Sequence, residues 1–155
     1  MPWLARLAAR TRPALALGAD LVDLGMRLYV ARVFLLSGLT KVRNWDTTLA
    51  LFRDEYHVPL LAPALAASLG TFGETVFPVF LALGLGTRFA AAGLTMVNVM
   101  AVVSYWQVLS ATPPALAQHF FWGTLLLVIL FHGPGRIALD RIVAPRLGIG
   151  GFAQI

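Results

Sequence analysis

Long apolar stretches separated by short polar clusters set the pattern of this chain. Residues 21–41, 63–85, 89–109 and 115–132 are each predominantly apolar. Each is near the roughly 20 residues that a helix needs to cross a hydrocarbon core of about 30 Å. The punctuation between them fits helices. Pro63 suits a first turn, Gly84 and Gly86 permit a tight turn before Arg88, and the adjacent prolines in Ser110 to Pro114 break the chain. Gly133-Pro134-Gly135 stops the last stretch, and between Arg88 and Arg136 there is no Asp, Glu, Lys or Arg. The pattern predicts an all-α, integral membrane four-helix bundle.

Two shorter segments flank the first span. Trp3, Leu4 and Leu7 recur at helical spacing while Arg6 and Arg10 fall on another face, which predicts an amphipathic helix on the membrane surface over residues 1–20. A signal peptide ending near Ala14-Leu15-Ala16 would have a very short apolar core interrupted by Pro13, so the surface helix is the better reading. After the span, residues 44–57 predict a short interfacial helix capped by Asp46 or Thr47. Its Leu49, Leu51, Phe52 and Tyr56 are expected to rest on lipid, with Arg53, Asp54 and Glu55 facing water. The domain organisation is then an N-terminal amphipathic segment (1–20), a four-helix transmembrane domain (21–142) and a tail (143–155).

Composition agrees. Hydrophobic residues make up 59% of the 155 and charged residues 12%, about half the charged share of a soluble domain. Mean hydropathy is +0.79, so the solvent of this chain is lipid. The absence of Cys excludes disulfides, Fe–S clusters and thiolate metal sites within it. The net charge of +5 does not point to nucleic acid, because the arginines sit at helix ends where anionic headgroups account for them. With four spans, both termini share a side. That side holds Arg6, Arg10, Arg12, Arg88, Arg136, Arg141 and Arg146, against Lys41, Arg43 and Arg53 on the other, which predicts cytoplasmic N- and C-termini.

Charges inside the apolar stretches are the candidate chemistry. Glu74 is the only charged residue between Glu55 and Arg88, and a carboxylate in hydrocarbon needs a partner and usually a purpose. It lies about 16 Å below the outer end of its helix, while Arg32 and Arg27 lie about 13 and 21 Å below Lys41. Either arginine is expected to pair with Glu74, leaving a net positive site suited to a quinone oxygen, its one-electron-reduced anion or a small oxyanion. A structural ion pair fixing helix register is the competing reading. Arg27, Phe34, Gly38 and Lys41 share a stripe, and Gly38 would let the second span approach closely. Toward the outer face, Tyr105, Trp106, Gln107, Gln118, Phe120, Phe121 and Trp122 suit an interfacial aromatic belt. His119 could meet Gln107 or accept a proton. His132 suits a helix-terminus cap and Asn98 a bond between helices. Asp54, Glu55 and His57 are too unspecific for a metal site, and no metal is expected.

Arg27, Phe34, Ser37-Gly38 and Lys41 resemble the first-helix pattern of the DoxX family of small four-helix bacterial membrane proteins. Glu74, Gly84 and Thr87-Arg88 resemble its second-helix pattern, and Gly133-Pro134-Gly135-Arg136 with Leu139-Asp140 its C-terminal signature. Arg32 and the N-terminal helix lie outside that pattern. The resemblance implies a multi-pass protein of the bacterial inner membrane linked to quinone, thiol and oxidative-stress chemistry. The missing Cys weighs against thiol chemistry in this chain. Three functions follow as expectations. The first is a quinone-linked redox accessory subunit, with Arg27, Arg32, Lys41 and Glu74 around a quinone or anion pocket and Arg27, Glu74 and His119 as catalytic candidates. The second is a non-enzymatic membrane anchor for a soluble or membrane partner, and the third a small transporter. The third is weakest, because four short helices leave little room for alternating access. Self-association is compatible with any of them.

Overall fold

The structure, a computed structural model, describes the backbone of residues 2–146 and the side chains of residues 11–146 other than Ala144. Every regular element among them is helical: α1 (Pro2–Arg43), α2 (Trp45–Asp54), α3 (Pro63–Leu83), α4 (Thr87–Ser104), α5 (Trp106–Ser110), α6 (Pro113–His132) and α7 (Asp140–Arg146). The expected tail beyond residue 146 lies outside the described residues.

Four helices form the bundle, with α3 packed on α1 and α4, and α6 packed on α4 and α1. Val30, Phe34, Leu81, Leu94, Leu126 and Ile129 fill its centre. Among the described residues, three helices, α3, α4 and α6, are long and apolar enough to cross a membrane. Large apolar side chains such as Phe72, Phe89, Phe120 and Phe131 point outward, as a lipid solvent requires. In lipid, close packing has to come from small residues rather than from the hydrophobic effect. A Cβ on Gly38 would come within 2.8 Å of the Glu74 carbonyl group, and one on Gly93 within 2.4 Å of the Phe77 ring. These glycines draw α1 onto α3 and α3 onto α4.

The boundaries depart from expectation at both ends of the first span. The segment expected as a separate surface helix over residues 1–20 is continuous with the span, and α1 runs through Pro13 without a break. Proline removes one backbone bond, and the surrounding Ala, Leu and Arg are strong helix formers. A 42-residue helix is about 63 Å long, roughly twice a hydrocarbon core, and most of residues 11–19 are exposed beyond the bundle. The interfacial helix α2 forms where expected, but Asn44 is its N-cap and no side chain bonds the cap. Phe52 does not rest on lipid; it is buried with Ala66 and Ala67 of α3, and Tyr56 packs beside it. The expected third span bends at Tyr105 into α5.

Candidate functional site

Glu74 projects from the middle of α3 and meets Lys41, whose Nζ lies 2.5 Å from Glu74 Oε2. The same Nζ donates to Ser37 Oγ at 2.9 Å. Ser37 stands one turn before Lys41 on α1, so the lysine leans back along its own helix, the direction helical side chains take. Both partners of the pair are nearly enclosed, with side-chain exposures of 13% and 11%. Pro78, four residues after Glu74 in α3, has no N–H to offer the Glu74 carbonyl, and that carbonyl faces Gly38.

This corrects the expected partner. Neither Arg27 nor Arg32 reaches Glu74. The depth count set the outer ends of α1 and α3 in one plane, whereas Gly38 lies level with Glu74. Pro63 therefore stands about 12 Å further out than Lys41.

The pair forms part of the wall of a cavity of about 380 Å³ between α2, α3 and α4. Phe52, Tyr56, Leu69, Phe77, Met96 and Met100 supply most of the remaining lining, and Gly70, Gly73 and Gly93 open the space between them. The interior is thus apolar with one charged pair, the composition of a pocket for an amphiphile or a ring with polar substituents. Tyr56 also carries a polar group. Burial first, then the carboxylate of Glu74, then Tyr105 and Glu55, push its phenol up to about 12, so it stays neutral at ordinary pH. Tyr105, stacked edge-on against Tyr56, donates to Glu55 Oε2 at 2.8 Å. That bond is the first cause of its own raised pKa.

Arg27 is fully buried elsewhere. Its guanidinium donates to the carbonyls of Leu81, at 3.3 Å, and Ala82, at 3.4 Å, and to that of Ile137. The first two belong to the last turn of α3, whose carbonyls lack their regular helical partners; that of Leu81 also accepts from the Gly84 amide, at 3.2 Å. A cation there also suits the negative end of the helix dipole. The following Gly84 is left-handed, with φ of 68°, and a Cβ on it would collide with Arg27 Nη1. Arg27 is a helix cap that ties in the segment after α6, and it does not line the cavity.

The remaining candidates disperse. Arg32 is exposed on α1. His119 pairs with Asn98, not Gln107: Asn98 Nδ2 donates to the His119 carbonyl at 3.0 Å, and His119 Nδ1 lies 2.9 Å from Asn98 Oδ1. That contact is the expected bond between helices at Asn98, and it lies outside the cavity lining. No cluster of His, Asp and Glu suited to a metal occurs among the described residues.

Three acids organise the opposite end of the bundle, Asp140 of the C-terminal signature and two, Asp20 and Asp23, that the sequence pattern did not single out. Asp20 pairs with Arg136 at 2.8 Å, and Asp23 lies 3.3 Å from His132 Nδ1. Asp140 accepts from the backbone amides of Gly86 and Thr87, at 2.6 and 2.9 Å, and from the Thr87 hydroxyl at 2.8 Å. Spacing held the signal: Asp20 and Asp23 share a helix face, opposite His132 at the end of the last span and Arg136 just after it. Gly133 and Gly135, both at positive φ, turn the chain so that these contacts close.

A family model described as DoxX matches residues 22–107, which take in both Lys41 and Glu74. No curated protein and no solved structure matches the chain.

Proposed function

The chain belongs to the DoxX family, and from that premise we propose that it is a quinone-binding accessory subunit of a redox system in the bacterial inner membrane. The observation that carries this reading is the Lys41–Glu74 pair in the wall of an otherwise apolar cavity. The residues fit the group: aromatic and methionine side chains suit a ring, and the charged pair suits a ring oxygen.

A bound quinone would supply the electron- and proton-accepting chemistry that the side chains lack. Lys41 would hold a ring oxygen by hydrogen bonding and would favour negative charge there, because a fixed cation in low dielectric acts strongly on developing charge. Glu74 holds the ammonium in place and exchanges a proton at Oε2. Tyr56 offers a neutral hydroxyl beside them. Phe52 and Phe77 help keep water out. Electrons come from a partner carrying a flavin or a metal.

The orientation proposed is four crossings, α1 included, with both termini cytoplasmic. Three of the charges on α1 that would oppose its crossing are turned inward, Asp23 to His132, Arg27 to carbonyls and Lys41 to Glu74.

The test is quinone extraction from detergent-purified protein, with quinone-reductase activity measured with and without co-purifying partners. Bound quinone that diminishes in Lys41→Met supports the subunit. Absence of both quinone and redox activity, with partner recruitment intact in Lys41→Met, makes the chain an anchor.

A further inference from the structure

Ser37, Thr40, Lys41 and Asn44 follow one another at spacings of three, one and three at the outer end of α1, which places them on one helix face. Thr47 and Thr48 of α2 stand opposite, and with Tyr56 they enclose a cleft of about 390 Å³. Each of these seven residues carries a polar group. The cavity beside Glu74 is apolar by contrast, and Lys41 and Tyr56 line both spaces. The charged pair therefore stands at the partition between a polar cleft and an apolar one.

The cleft narrows inward. Thr40, Asn44 and Thr47 are exposed, Ser37 is half-buried and Thr48 is buried. The polar groups keep bonding capacity after their contacts within the protein are met. Thr40 and Thr48 donate to the carbonyls of Leu36 and Lys41, at 2.9 and 3.1 Å, so each hydroxyl oxygen can still accept. Asn44 donates to the Thr40 carbonyl at 3.4 Å and keeps its side-chain oxygen as an acceptor. An ammonium has three N–H donors, of which Glu74 and Ser37 take two. A water molecule held in a cleft needs about two to four such partners. These residues offer them over about 10 Å, from Asn44 inward to Ser37.

We propose that this cleft is an aqueous path by which the buried Lys41–Glu74 pair exchanges protons with the outer side. A proton that Lys41 Nζ passes to Glu74 Oε2 is replaced by one from a hydronium ion in the cleft, which leaves as water. The proposal deepens the proposed function and rests on the proton exchange assigned there to Glu74. Its test contains no quinone, so its failure and the failure of the quinone reading are told apart.

Lys41 is the only lysine in the chain, and Cys is absent, which makes two probes site-specific. In protein carrying isotope-labelled lysine, in lipid nanodiscs, a single ammonium signal reports proton exchange with water by NMR. Thr40→Leu with Asn44→Leu lines the mouth of the cleft with hydrocarbon. The pair of changes should slow exchange at least about tenfold, because polar partners for water are lost. Met96→Trp, at the lipid side of the apolar cavity, should slow it less. A charged, water-soluble thiol reagent should label Ser37→Cys and spare its neighbour Leu36→Cys, on a side chain 49% exposed toward lipid. Melting curves check each variant, and the labelling decides the matter if the leucine pair does not fold. Exchange indifferent to the leucine pair, or slowed more by Met96→Trp, overturns the proposal. Equal labelling of Ser37→Cys and Leu36→Cys overturns it as well.

Discussion

Lys41 and Glu74 stand 33 positions apart in sequence, yet their side chains meet at 2.5 Å inside the bundle. Removing one partner of such a pair strands the other charge and typically costs about 3–5 kcal/mol. Glu74→Ala should therefore lower folded yield and melting temperature in detergent far more than Glu55→Ala does. Glu74→Ala combined with Lys41→Met should recover much of the loss, because no charge is left buried. A double variant as unstable as the two single losses added together would contradict the pairing.

Arg27 belongs to stability. Its guanidinium serves three carbonyls, and each polar group left unsatisfied in the interior costs about 1–3 kcal/mol. Arg27→Met should lower the melting temperature markedly and loosen the segment after α6, seen as faster hydrogen exchange at Leu139 and Asp140. Both amides bond back to the end of α3, on Leu83 and Gly84. Unchanged exchange there would argue against the capping role.

The Tyr56 phenol gives the pH dependence a sign. Its folded pKa of about 12 lies above the ordinary value of 10.0, so the fold favours the neutral form. That contribution is fully present below about pH 10 and is lost as pH rises toward 12. Stability should fall over this window, and Tyr56→Phe, which cannot ionise, should fall less. Near-ultraviolet phenolate absorbance should also lose its latest component in Tyr56→Phe. An identical titration in the variant would contradict the enclosed position.

Orientation is testable with reporter fusions after Arg146 and within residues 44–57. The C-terminal fusion should read cytoplasmic and the loop fusion periplasmic. A periplasmic C-terminus would overturn the four-crossing arrangement.

Much of the architecture was legible in the sequence, and the reasons show in particular residues. Pro63 and Gly84 bracket α3 where expected, and Gly38 on the Arg27–Lys41 stripe does bring two helices together. Glu74 stood out because apolar neighbours make a lone carboxylate conspicuous. Its partner was not legible, since residue counting fixes depth along one helix but not the offset between two. Residues 55–62 and α2 set that offset, and no periodicity reports it. Asp20 and Asp23 were readable as a pair on one face but needed the turn at Gly133 and Gly135 to meet their bases. The cavity was illegible for a related reason, as its walls come from α2, α3 and α4, and Phe52 and Tyr56 read as lipid-facing from their own segment alone.

The most direct measurement titrates a water-soluble short-chain quinone into detergent-purified wild type, Lys41→Met and Arg27→Gln, each checked for folding by its melting curve. Lys41→Met should raise Kd at least about tenfold, the loss of one good charge-assisted hydrogen bond. Arg27→Gln, in the fraction that folds, should bind as wild type does. Quinone binding that survives Lys41→Met unchanged but collapses in folded Arg27→Gln would contradict the account.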